Sequence, residues 1–127
     1  MSLPELTKST VLEDQSAVLL ARMVNADGDY ITQSTIASIA YQVFDLGAAG
    51  AQSSTGTFVV ASTVFNSLQT GMEWTRDNTG YNFKGTMPAS AFPTARRQYR
   101  IEVAFTPSSG DVFYAMFEID VREVMSS

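Results

Sequence analysis

The chain has 127 residues, 45% of them apolar and 17% charged, with a net charge of -5 at pH 7 and neither His nor Cys. This length suits one domain, which buries roughly two-thirds of the surface its unfolded chain exposes without a metal or disulfide staple, and the composition argues against disorder and coiled coil. The missing His and Cys exclude Ser-His-Asp and Cys-His triads, zinc centres built on those ligands, iron–sulfur clusters and thiol redox chemistry.

Along the chain, residues 1–15 carry little periodicity and are expected as a flexible N-terminal arm. Ser16 to Asn25 is apolar on both faces with Arg22 its one charge, which predicts a centrally placed strand. Asn25 to Asp29 is a turn by composition, and Tyr30 to Thr32 a short extended piece. Ile39, Tyr41 and Val43 alternate with Ala40 and Gln42 in a strand ending near Leu46. Gly47 to Gly56, rich in Gly, Ala and Ser, is expected as a mobile loop, followed by a short strand over Thr57 to Ala61. Val64-Phe65 starts another short element. Asp77 to Gly80 is a turn before a strand from Tyr81 to Met87, and Pro88 and Pro93 bracket one helical turn.

The clearest signal lies near the C-terminus. Tyr99, Ile101, Val103 and Phe105 share one face of a period-two run, with Arg100, Glu102 and Thr106 on the other. Pro107 to Asp111 is a turn, after which Phe113, Ala115, Phe117, Ile119 and Val121 point inward. Two such runs around a short turn predict a hairpin. Six or seven short strands with no long amphipathic helix, no repeat and no internal linker argue for a β-sandwich.

Few residues suggest chemistry. Asn25, Asp27 and Asp29 offer side-chain oxygens, but they lack the twelve-residue calcium-loop spacing, and Asp27-Gly28 is itself a turn signal. Glu102, Glu118 and Asp120 fall on outward strand positions, where cross-strand pairing with Arg100 or Arg122 accounts for them better than a catalytic acid pair. There is no Gly-x-Ser-x-Gly elbow and no phosphate loop ending in Lys-Ser or Lys-Thr. Trp74, the single Trp, is expected as a core plug or lid; the alternative makes it, with Tyr81, a ligand platform. The more suggestive feature is on the last strand. Val112, Tyr114 and Met116 follow one another at i, i+2 spacing on its outward face, an apolar stripe that is either covered by the chain itself or a candidate subunit interface.

No run approaches the roughly 20 apolar residues of a membrane helix, and the N-terminus lacks the basic and apolar regions of a signal peptide. Lack of Cys suits the reducing cytoplasm and equally a cysteine-free extracellular domain. The acidic balance, with only Arg96, Arg97 and Arg100 clustered, disfavours nucleic acid as a partner.

Four blocks carry a family resemblance: Asp14 to Arg22, Ile36 to Asp45, Trp74 with Asp77 through Phe83, and Tyr99 to Thr106. In this order, over residues 11 to 124, they resemble small proteins of phage-like or prophage-like gene clusters. More remotely, they resemble the Ig-like modules of phage tail and baseplate proteins, such as the N-terminal domain of the baseplate upper protein. The resemblance implies an Ig-like sandwich that works by assembly in a virion or tail-like particle, and it brings no catalytic residues.

The expectation is therefore an all-β, Ig-like antiparallel β-sandwich of about seven strands over residues 16–124, with an arm at 1–15 and a tail at 125–127. The expected function is a non-catalytic structural or interaction module without cofactor or metal. Its partners would be proteins or further copies of itself, with no nucleic acid or membrane. The expected site is the stripe Val112, Tyr114 and Met116, in a protein made in the cytoplasm and built into a phage-like particle. The alternative is an extracellular adhesion or carbohydrate-binding module that uses Trp74 and Tyr81.

Overall fold

The computed structural model describes residues 6–12, 17–25, 28–71, 74, 78–88, 91 and 97–122. Eight strands account for most of them: β1 (Leu6–Leu12), β2 (Ala17–Ala21), β3 (Ile36–Asp45), β4 (Ala51–Phe58), β5 (Val64–Gln69), β6 (Tyr81–Met87), β7 (Arg97–Pro107) and β8 (Phe113–Arg122). A 3-10 turn at Leu46–Ala48 and a helical turn at Val60–Thr63 complete the regular structure. The strands form two sheets, β1-β8-β7-β3-β4 and β2-β6-β5.

The protein is an all-β sandwich. β2 to β8 pair antiparallel throughout, giving the seven strands expected, and β1 adds to β8 in parallel. Setting β2-β6-β5 against β8-β7-β3-β4 reproduces the B-E-D against G-F-C order of immunoglobulin-type sandwiches, with one strand added beyond C.

The hairpin of β7 and β8 supplies much of the core. Tyr99, Ile101, Val103 and Phe105 are buried on β7, and Ala115, Phe117, Ile119 and Val121 on β8. Period-two alternation sends all of them to the same side of the sheet. Ile36, Ile39 and Val43 of β3 continue that layer. Ala17, Leu19, Phe83 and Met87 face it from the second sheet. An aromatic chain ties the layers together. Phe83 of β6 meets Phe105 of β7 edge-on at 5.1 Å and Phe58 of β4 at 5.7 Å. Phe105 stacks on Phe113 at 5.3 Å, and Phe58 lies 5.0 Å from Tyr41.

Polar side chains replace strand pairing where the second sheet gives out. Beyond the end of β2, the buried Asn82 side chain accepts from the Met23 N–H at 2.7 Å and donates to the Met23 carbonyl at 2.9 Å, as a neighbouring strand would. Gln33 fastens the β2–β3 connection to the start of β5, donating to the carbonyls of Ala61 and Val64 while its own N–H donates to Asn66 Oδ1. Gly80 opens β6 at φ +107°, where a Cβ would run into the carbonyl oxygen of Gln69, so the turn requires glycine.

Four sequence expectations are corrected. The arm expected over residues 1–15 is, over Leu6–Leu12, an edge strand ordered by β8, a partner remote in sequence. The strand expected from Ser16 to Asn25 stops at Ala21 and lies at a sheet edge rather than centrally; Val24 instead makes a single bridge to Tyr30. The mobile loop expected over Gly47 to Gly56 is the 3-10 turn followed by β4, and the strand expected over Thr57 to Ala61 gives way to the helical turn. β4 is held by β3 on one side, with the ring of Tyr41 laid over Gly56, where any Cβ would collide with it. The N-terminal residues 1–5, most of the Pro88–Pro93 turn and the tail 125–127 lie outside the described residues.

Candidate functional site

The outward face of the five-stranded sheet is built by the residues that alternate with the core. Register sets them in cross-strand rows. One row runs from Tyr114 on β8 through Ala104 on β7 to Ala40 on β3. The next runs from Met116 through Glu102 to Gln42, and the third from Glu118 through Arg100 to Phe44. Because Ala40 and Ala104 stop at Cβ, the first two rows enclose an open hollow of about 360 Å³, lined by Ala40, Gln42, Glu102, Ala104, Tyr114 and Met116. Tyr114 stands at its wall, 49% exposed. Met116 beside it is half-buried.

The expected stripe therefore divides. Tyr114 and Met116 stand together on the sheet face and line the hollow. Val112, 45% exposed, sits in the turn just before β8 and outside the hollow. Sequence reasoning missed the floor. Ala40 and Ala104 give no signal alone, and only the β3–β7 register makes them neighbours.

Below the hollow the face carries a charged pair beside Phe44. Arg100 donates to Glu118 Oε1 at 3.3 Å, one of the cross-strand pairs the alternation suggested. Its Nε is buried and has no hydrogen-bond acceptor among the described residues. Glu102 points into the hollow's rim rather than toward a second acid. Asp45 carries a second ion pair near the far end of β3. One carboxylate oxygen takes a 3.0 Å bond from Arg97, and the other accepts from the Gly47 N–H at 2.9 Å and caps the 3-10 turn.

A second cleft, of about 340 Å³, opens at one end of the sandwich between the β2–β3 and β7–β8 connections. Asn25, Ser34, Thr35, Ser108 and Asp111 contribute to its polar rim, and Ile36 and Phe113 to its apolar lining. The two connections are tied directly, with Ser108 donating from its N–H to the Thr35 carbonyl at 2.9 Å and from Oγ to the Ser34 carbonyl at 3.0 Å.

Trp74 and Tyr81, the alternative ligand platform, are both buried, at 7% and 5% exposure, with their rings 5.7 Å apart. Tyr81 also meets Phe65 edge-on at 5.8 Å. These rings close the end of the second sheet and present no open face to a sugar. The physical reason is area: so large an apolar payload gains more from covering the core than from a solvent-facing position. At the Asn25–Asp29 turn weighed for calcium, Asn25 Oδ1 accepts from the Asp29 N–H at 3.0 Å and Gly28 takes φ +88°, which is turn chemistry. Asp27 lies outside the described residues, as does Arg96 of the basic cluster. No helix among the described residues is long and apolar enough to cross a membrane.

Comparison of the chain with protein-family models, with curated proteins and with solved structures gave no match.

Proposed function

We propose that this protein is a non-catalytic assembly module, a structural component of a phage-like particle that docks to protein through the outer face of its five-stranded sheet. The observation that carries this reading is the exposed Tyr114 beside Met116 and the alanine-floored hollow, which leave an apolar, shaped patch bordered by polar side chains on the outer face. Monomeric sandwiches keep outward strand positions polar, and a contiguous apolar patch with a polar rim marks a contact surface. Here the rim is Gln42, Glu102 and the Arg100–Glu118 pair. The two connections tied together by Ser108 form a further surface at the end of the sandwich, adjoining Val112. The particle assignment itself follows from the resemblance of the four sequence blocks to phage-cluster proteins.

The test is particle fractionation with immunogold labelling. Antibody raised to the purified chain is expected to decorate particles released by the source cells, and the chain is expected to co-sediment with them at fixed stoichiometry. A chain found only in the soluble fraction, with undecorated particles, contradicts the reading.

A further inference from the structure

We infer that the occupant of this face is a second copy of the chain, packed about a two-fold axis parallel to β7, with Tyr114 of each copy seated in the other's hollow over Ala40. This rests on the assembly reading above and supplies its partner. The sheet order places Tyr114 on β8, one strand to one side of β7, and Ala40 on β3, one strand to the other side. Both sit in the same row, because Ala104 pairs with both. A two-fold axis along β7 exchanges the two sides of the face while preserving the row. It therefore sets each Tyr114 above the opposing Ala40 and each Met116 above the opposing Gln42, with Ala104 near the axis. The projecting group and the space that receives it lie on one surface at symmetry-related positions, which is the condition for an isologous contact. Such an axis also lays the two sheets nearly aligned, the usual sheet-on-sheet geometry of within about 30°.

The axis also brings like charges together along β7, which weakens the contact and keeps it reversible. Glu102 and Arg100 both lie on β7, so each approaches its own symmetry mate, with the opposite charge one row away and Arg100 paired in its own chain with Glu118. The size also fits. Five strands spaced about 4.8 Å apart and seven paired residues rising about 3.4 Å each define a face of roughly 24 by 24 Å. Two such faces bury on the order of 1,100 Å², at the lower end of specific interfaces, so a reversible dimer in the micromolar range is expected rather than an obligate one.

The test is sedimentation equilibrium of the purified chain from about 10 μM to 1 mM, a range that brackets such an affinity, with a charge exchange across the contact. Tyr114→Lys and Ala40→Glu change exposed positions, so each is expected to keep the native circular dichroism spectrum while weakening self-association at least tenfold. Mixing the two variants is expected to restore a dimer containing one of each, because the introduced ammonium of one copy then meets the introduced carboxylate of the other. Each variant carries only one of the two charges, so the pairing can form only between copies. A monomeric parent protein over the whole range overturns the proposal, and so does a dimer indifferent to both substitutions. Substitutions that dissociate the dimer with no rescue on mixing overturn the two-fold register. If the parent is monomeric while particles are still decorated, only the self-pairing fails, and the face belongs to a different protein partner.

Discussion

Phe83→Ala is expected to cost about 3–5 kcal/mol, the largest loss available from a single side chain here. Phe83 is fully buried on the central strand of the smaller sheet and touches two rings of the opposite sheet: Phe105 of β7 at 5.1 Å and Phe58 of β4 at 5.7 Å. Removing the ring leaves a cavity between the sheets, where collapse is resisted by strands fixed on both sides. It also breaks the aromatic chain that connects edge strand β4 to the β7–β8 hairpin. Domains of this size are stable by about 5–15 kcal/mol, so the loss is a large fraction of the total. It corresponds to a fall in Tm of roughly 10–20 °C. Thermal and urea unfolding followed by circular dichroism measure it. Phe83→Leu, which retains most of the apolar volume, is expected to recover more than half of the loss. An equal loss for Leu and Ala would mean that edge-on ring geometry, not filled space, holds the layers.

Asn82→Ala is the second large effect, expected at about 1–3 kcal/mol. The Asn82 side chain makes two bonds to one residue, accepting from the Met23 N–H and donating to the Met23 carbonyl. Truncation leaves the Met23 N–H without that partner at the edge of the core, while the Met23 carbonyl keeps its 3.2 Å bond from the Ile31 N–H, and the cost is the desolvation of the N–H left behind rather than the worth of the bonds themselves. Asn82→Asp keeps the acceptor, loses the donor and buries a carboxylate, so it is expected to be at least as damaging near neutral pH. Hydrogen exchange at the Met23 amide gives the local readout. Its protection is expected to fall more than that of Val103 in the centre of β7. Uniform loss across both would place the effect in global stability alone.

The elements that could be read from the sequence are those whose burial is one-sided and local. In β7 and β8 every second residue is apolar and most are large, Tyr99 to Phe105 and Phe113 to Val121, so the alternation identified the strands and the face they bury. β3 and β6 were legible for the same reason. β4 was not. Gln52 to Thr57 are all small or polar, because an edge strand whose outer side meets solvent has little need of an apolar face. β1 was missed because its order comes from parallel pairing with β8, at the opposite end of the chain.

The candidate site splits along the same line. Tyr114 and Met116 could be found, since their spacing sets them on the same face of one strand. The hollow they border could not. Its floor is Ala40 and Ala104, two small residues on different strands made neighbours only by the β3–β7 register. Trp74 shows how little a residue type says without its surroundings, because the same ring that could have carried a ligand is buried against Tyr81.

The claim that the outer sheet face is the working surface is tested most directly by photocrosslinking within assembled particles. A benzophenone side chain is placed at Tyr114, with a second variant carrying it at Val59, an exposed position after the edge strand β4. Irradiation is expected to join position 114 to a neighbouring protein chain in high yield, with position 59 giving little product. Abundant crosslinks from position 59, with none from position 114, would contradict docking through this face.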